Sequence, residues 1–260
     1  MSWIEPNEKT PHPIRALCHE VDQLDYPRGV IKVRQRIDGT AFFPGGLGLW
    51  ETGADRPLPL MPVGEVMILG HDFHSEDGYE ESLKRNGEDL QKNSTWRSLL
   101  KLLDAAGIER SNCFFTNFFP GIRQGGNAMG TFPGRHDPTF VAKCGELFVK
   151  QLLAQRPRII LVLGSHVPSL IAPLANELKS WKNARSFKKI DNSPCGPSCR
   201  ASFWNGTNSP ISANVVALTH PCMRTSNVHR RTYKKLAGHD AEMEMLRDAG
   251  ALDVKDQRPR

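Results

Sequence analysis

From Val63 onward, short and predominantly apolar runs alternate with longer segments in which apolar residues recur every three to four positions. The short runs are bounded by glycine, proline or polar residues, which is typical of strands buried on both faces. They predict four strands, within residues 63–70, 112–121, 158–164 and 214–221. The longer segments predict helices over residues 94–107, 138–155, 165–175 and 227–250. Alternating strands and helices indicate an α/β fold, here a three-layer α/β/α arrangement with a central, mainly parallel, four-stranded sheet.

Residues 1–60 lack this periodicity and are rich in proline and glycine, as in "FFPGGLGLW" from Phe42 to Trp50. We therefore expect an irregular N-terminal extension packed on the core, followed by one α/β domain over residues 61–260. The first fifteen residues contain no apolar stretch of the kind found in signal peptides. No segment has the roughly 20 apolar residues that a membrane-spanning helix needs. The sequence thus predicts a soluble, cytoplasmic protein without a membrane partner.

Polar side chains follow all four predicted strands, at or near the point where each strand ends. In parallel sheets, ligands bind beyond the carboxyl ends of the strands. The polar residues there are His71, Asp72, His74, Asn117, Ser165, His166 and His220. Their convergence predicts a functional site at one edge of the sheet.

The net charge of +6 is unevenly distributed along the chain. Residues 179–235 contain eleven Lys and Arg residues and a single acid, Asp191. Aromatic residues are interleaved with these charges, at Trp181, Phe187, Trp204 and Tyr233. A solvated surface loop is one explanation of such a basic segment. The aromatic side chains suit base stacking as well as phosphate pairing, so we expect a nucleic acid as the partner, with Lys188 and Lys189 among its contacts.

Two patterns raise the question of a metal. The six cysteines (18, 113, 144, 195, 199, 222) are scattered; "CGPSC" could be half of a zinc site, but its spacing is loose and no second pair follows. His71, Asp72 and His74, with a distant His220, are an alternative set of N and O ligands, which would make the protein a metal-dependent hydrolase. In an extended segment His71 and His74 point to opposite faces, so shared ligation needs a turn. We predict no metal site.

Three short motifs, in order and on strand ends, resemble the uracil-DNA glycosylase superfamily: "ILGHDFH", "FFTNFFPG" and "ALTHPCMR". The resemblance spans roughly Val63 to Lys235 and implies the fold of that superfamily. It implies that Asp72 activates or orients water and stabilises the cationic sugar, and that Asn117 hydrogen-bonds the edge of a flipped base. His220 would donate a hydrogen bond to the departing base and stabilise its anion.

The first motif departs from the Gly-Gln-Asp-Pro-Tyr of the main uracil-glycosylase family. His71 and Phe73 replace its Gln and Pro, and His74 replaces the tyrosine that helps to exclude bases with a 5-substituent. We therefore predict that His71, Phe73 and His74 line the base pocket. The substrate is then uracil or a modified pyrimidine, such as a hypermodified cytosine in phage DNA, with a role in antiphage defence.

The resemblance also implies how DNA is held and which cofactors are absent. The segment "PCMRTSNVHRR" would enter the minor groove, with Met223 or Arg224 as a wedge and Arg230 and Arg231 on phosphates. Cys144 lies near a ligand position of the iron–sulfur families, but the other cysteines of a four-thiolate set are missing. No lysine is nominated as a Schiff-base nucleophile, so we predict a monofunctional enzyme that uses water and leaves an abasic site. We also expect it to need no cofactor and to be a monomer. A binding protein on the same fold, without chemistry, is the remaining alternative.

Overall fold

The computed structural model describes residues 13–53, 57–88, 90, 92–204 and 210–251. The strands are β1 Val30–Ile31, β2 Val66–Gly70, β3 Cys113–Asn117, β4 Ile122–Arg123, β5 Ile159–Leu163, β6 Ser198–Phe203, β7 Ile211–Leu218, β8 Thr232–Tyr233 and β9 Leu236–Ala237. The helices are α1 Pro13–Asp22, α2 Glu76–Lys84, α3 Ser94–Ala105, α4 Pro138–Gln155, α5 Pro168–Ile171, α6 Phe187–Asp191, α7 Arg224–Asn227 and α8 Gly238–Asp248.

The central sheet has the strand order β3-β2-β5-β7-β6. Its first four strands are parallel, which confirms the predicted α/β fold and mainly parallel sheet. The predicted number of four strands was wrong, because β6 pairs antiparallel with β7 as a fifth strand. This edge strand is "SCRASF" and only partly buried, so it lacks the continuous apolar run that marks a strand covered on both faces.

Two apolar layers cover the sheet, as its alternating side chains require. Met67 and Leu69 of β2 face a core shared with α1 and α4. Val66 and Ile68 face the opposite core, which contains the apolar residues of α3 and α8. Strands buried on both faces are continuously apolar for this reason, and the sheet lies between two helical layers.

The last predicted helix is shorter than expected. Asn227 ends α7, residues 228–230 form a short 3-10 helix and residues 232–237 form the β8–β9 hairpin, so the last helix begins only at Gly238. Lys234, at the hairpin turn, has a φ of 52°, a left-handed conformation that no helix accepts. The helix predicted over residues 165–175 is likewise reduced to α5 and a following turn.

The N-terminal segment closes one edge of the sheet. Phe43 donates its N–H to the Phe115 carbonyl (2.9 Å), and Asn117 donates to the Phe43 carbonyl (3.1 Å). These bonds satisfy backbone groups of β3 that would otherwise be exposed. The segment is not wholly irregular, because α1 buries Ile14 and Leu17 in the first core. Residues 1–12 lie outside the described part, and the domain boundary at residue 61 stays a prediction.

Across the described residues, none of the helices combines the length and apolar character needed to cross a bilayer.

Candidate active site

The parallel strands bring their carboxyl ends to one edge of the sheet, and the predicted polar residues lie there. The imidazole rings of His71 and His166 are 5.5 Å apart, centroid to centroid. His220 is close enough to Asp72 and His71 for both to influence its titration. Asn117 ends β3 directly opposite Gly70, the last residue of β2.

Asp72 is held by two neighbours, one of which the sequence analysis missed. Arg123 donates through Nε to Oδ2 (2.7 Å) and through Nη2 to Oδ1 (3.3 Å). The Nδ1 atom of His71 is 2.5 Å from Oδ1. Burial alone would raise the pKa of Asp72, but the hydrogen bonds from His71 and Arg123 outweigh it and lower the pKa below its usual value. The carboxyl group is therefore ionised and paired.

Arg123 connects this carboxylate to the loop that follows β4. Its guanidinium donates to the main-chain carbonyls of Met129 (3.2 Å), Gly130 (3.0 Å) and Thr131 (3.2 Å). The side chain is only 6% exposed. No local pattern marks "GIRQGG" as part of a site; the only available signal was that a buried carboxylate needs a cationic partner.

His71 has one ring nitrogen engaged and one open. Its Nε2 is buried, and no hydrogen-bond partner for it exists in the described part of the chain. The ring stands edge-on to Phe119 at a centroid distance of 5.2 Å, and Phe119 stacks on Phe132 at 4.5 Å. A buried acceptor without a partner is costly unless a ligand satisfies it.

Asn117 is placed by the close approach of two backbones. Its Oδ1 lies where a side chain on Gly70 would be, 2.2 Å from the position of an added Cβ. The residue is 4% exposed, and its amide makes no hydrogen bond to any described residue. An amide that is almost fully buried yet unpaired is available to a bound molecule.

His220 follows β7 and is neutral at physiological pH. Its pKa is lowered to about 4, mainly by burial; the Asp72 carboxylate opposes this shift, and the neighbouring His71 and His166 add to it. Its Nδ1 is 3.0 Å from Cys222 Sγ. Burial likewise lowers the pKa of His166, with further contributions from His71 and Arg135.

A profile of the "Uracil DNA glycosylase superfamily" matches residues 65–241, which include every residue of this site. The chain belongs to the uracil DNA glycosylase superfamily. No curated protein matches it. The superfamily acts on DNA, so membership supports a DNA glycosylase-like function.

Within the superfamily motif, Phe73 and His74 differ in what they contact. Phe73 is only partly buried, and its ring packs against Gly45, so closely that a Cβ there would lie 2.2 Å from Cε2. His74 is exposed, and its Nδ1 is 3.0 Å from Ser75 Oγ and close to Gly78. The contacts of its ring are with the start of α2, not with Asp72.

Two of the residues predicted to bind DNA are engaged elsewhere. Arg231 is fully buried, pairing with Asp191 (2.9 Å) and Glu242 (2.7 Å), so its predicted phosphate contact is wrong. Arg224 is largely buried and bonds to Glu242, which argues against its predicted role as a wedge. The predicted DNA contacts that remain on the surface are Met223, Arg230, Lys188 and Lys189.

The interleaved aromatic residues do not form one stacking surface. Trp181 is buried in the first core and donates its indole N–H to the Gly196 carbonyl. Phe187 lies against the guanidinium of Arg231 at 4.2 Å. Trp204 is exposed, but it follows β6, which runs antiparallel to β7. It therefore lies at the end of the sheet where β7 begins, whereas His220 lies at the end where β7 finishes.

The donor geometry does not favour the metal-hydrolase alternative. Within the described ranges, no group of three or more His, Cys, Asp or Glu side chains is arranged to hold a metal ion. His74 turns towards Ser75, and Asp72 is occupied by Arg123. In "CGPSC", the other candidate for a metal site, the Cys195 thiol lies 3.0 Å from the hydroxyl oxygen of Ser180.

Proposed function

We propose that the protein is a monofunctional DNA glycosylase that flips a base out of DNA and hydrolyses its N-glycosidic bond, leaving an abasic site. One observation supports the proposal: Asn117, whose buried amide makes no hydrogen bond to a described residue, the neutral imidazole of His220 and the ionised carboxylate of Asp72 all lie at the carboxyl ends of the parallel strands. We take the enzyme to be a cytoplasmic monomer that needs no cofactor.

The Asn117 amide suits recognition of a base edge. It offers one acceptor and two donors from a single planar group, which distinguishes bases by their pattern of carbonyl and amino groups. No protein group competes for it among the described residues. Of the aromatic rings around the motif, Phe118 and Phe119 are fully buried, so the partly exposed Phe73 is the best candidate to stack on the base.

The chemistry follows from charge. The departing base accumulates negative charge. The neutral His220 ring carries one N–H, which can donate a hydrogen bond to that charge. The sugar becomes cationic, and the site carries the carboxylate of Asp72. Among the described residues, none of the side chains named in the site is a lysine, which favours a water molecule as the nucleophile.

The substrate that we propose is uracil or a modified pyrimidine, including a hypermodified cytosine of phage DNA, with a corresponding role in antiphage defence. The support is the altered motif. At the position of the tyrosine that excludes bases with a 5-substituent, His74 lies against Ser75 and Gly78.

A panel of oligonucleotides tests the proposal. Each contains uracil, another deaminated base or a hydroxymethylated or glucosylated cytosine, in single and double strands, and abasic sites are detected by alkaline strand scission. We expect scission with at least one base, and a rate at least about 10²-fold lower in Asp72→Asn. Asp104→Asn is the matched control, because Asp104 is exposed on α3 and pairs with Arg110. Binding without scission on every substrate would instead identify a non-catalytic member of the fold.

A further inference from the structure

We propose that His71, not Asp72, accepts the proton of the attacking water, with Asp72 and Arg123 as positioning residues. This inference rests on the proposed glycosylase function and assigns its proton acceptor. It departs from the role that the resemblance to the superfamily implies for the carboxylate.

The first reason is that Asp72 has little capacity left to act as a base. Oδ2 receives the Arg123 Nε–H at 2.7 Å, and Oδ1 receives Nη2 of the same guanidinium at 3.3 Å and faces His71 at 2.5 Å. The side chain is only 10% exposed. A carboxylate paired in this way holds its negative charge firmly and is a poor acceptor for a further proton.

The second reason is the orientation of the His71 ring. Because Asp72 is ionised, the hydrogen bond between them places a proton on Nδ1, and in the neutral ring this leaves the lone pair on Nε2. Nε2 is the atom that has no partner in the described part of the protein. The chain thus orients a basic nitrogen and leaves it free for a ligand.

The His71 ring has buried neighbours and one exposed neighbour. Phe119 and Phe132 are fully buried, and both stand edge-on to the ring. His166 lies on the surface, and its ring is 5.5 Å from that of His71, centroid to centroid, so solvent is nearest to His71 beside His166. The charged and titratable groups around His71 are Asp72, Arg123, His166 and His220.

The proposed step balances without a cofactor. The water oxygen forms a bond to the sugar C1′ while the bond from C1′ to the base nitrogen breaks, and its electron pair leaves with the base. The water proton passes to His71 Nε2, and Asp72 stabilises the resulting imidazolium. His220 donates a hydrogen bond to the departing base anion.

His71→Gln separates the two assignments, because it restores the Gly-Gln-Asp order of the main uracil-glycosylase family. If His71 is the base, the single-turnover rate falls about 10²-fold or more, since an amide does not accept the proton. The wild-type rate should also fall as the pH is lowered and the His71 imidazole takes up a proton, and His71→Gln should lose this dependence. His19→Gln, an exposed histidine on α1, is the matched control.

Nitrogen NMR of the imidazole rings gives a readout that needs no substrate. We expect His71, assigned by its loss in His71→Gln, to carry its proton on Nδ1, with Nε2 unprotonated in the neutral ring. A neutral His71 ring with its proton on Nε2 would overturn the inference. It also fails if wild type releases a base and folded His71→Gln retains that rate with the same pH profile. Wild type that releases no base removes the proposed function and this inference together.

Discussion

Gly70→Ala tests whether the Asn117 amide recognises the base. The added Cβ would lie 2.2 Å from Asn117 Oδ1, whereas real Cβ atoms essentially never approach another atom within 3.0 Å. The amide must therefore move by roughly 1 Å, a misplacement that costs about 10²-fold in rate, or about 2.7 kcal/mol of transition-state stabilisation. The loss of folding stability should stay within the range of about 1–3 kcal/mol that is typical of overpacking.

The assay is single-turnover release of the base that the oligonucleotide panel identifies, with urea unfolding measured in parallel. Gly53→Ala is the matched control, because an added Cβ at Gly53 meets no atom within 4 Å. A folded Gly70→Ala variant that releases the base at the wild-type rate would refute a role for Asn117 in base binding.

Three further predictions concern the pocket wall, the basic segment and pH. Gly45→Ala places a Cβ 2.2 Å from the Phe73 ring. The ratio of base-release rates between substrates of the panel should therefore change, while the urea midpoint of unfolding stays close to that of the wild type. Arg231→Met should cost about 3–5 kcal/mol in urea unfolding, because it leaves the buried Asp191 without a cationic partner among the described residues. Arg230→Met should leave stability unchanged and weaken the salt dependence of DNA binding by the equivalent of about one phosphate contact. Equal effects of the two would contradict this assignment. Burial lowers the pKa of His220 to about 4, so the unfolded chain takes up a proton at pH values where the folded protein does not. Unfolding free energy should therefore fall by about 2 kcal/mol from pH 8 to pH 5, and this difference should shrink in His220→Gln.

The location of the site could be predicted from the sequence because it depends on local patterns. Continuous apolar runs identify strands covered on both faces, and parallel strands present their carboxyl ends at one edge. The residue after such a run, such as His71 or His220, is therefore placed without knowledge of the tertiary contacts. The edge strand β6 escaped prediction because one of its sides is solvated and its sequence is mixed.

The partners of the site could not be predicted, because they come from distant parts of the chain. Arg123 meets Asp72 across 51 positions, and nothing near either residue indicates that pairing. Arg231 was assigned to phosphates because its neighbours are basic, but Asp191 and Glu242 are brought to it by the fold. Charge in a sequence indicates the composition of a segment; burial decides which of its cations can reach a ligand.

The most direct test of the account is a crystal structure of the protein with duplex DNA in which the substrate nucleotide carries a 2′-fluoro group that slows cleavage. We predict a base rotated out of the helix, with its edge on the Asn117 amide and its glycosidic bond between His71 and His220. A base left stacked in the duplex, or DNA bound near Trp204 at the end of the sheet away from His220, would contradict the account.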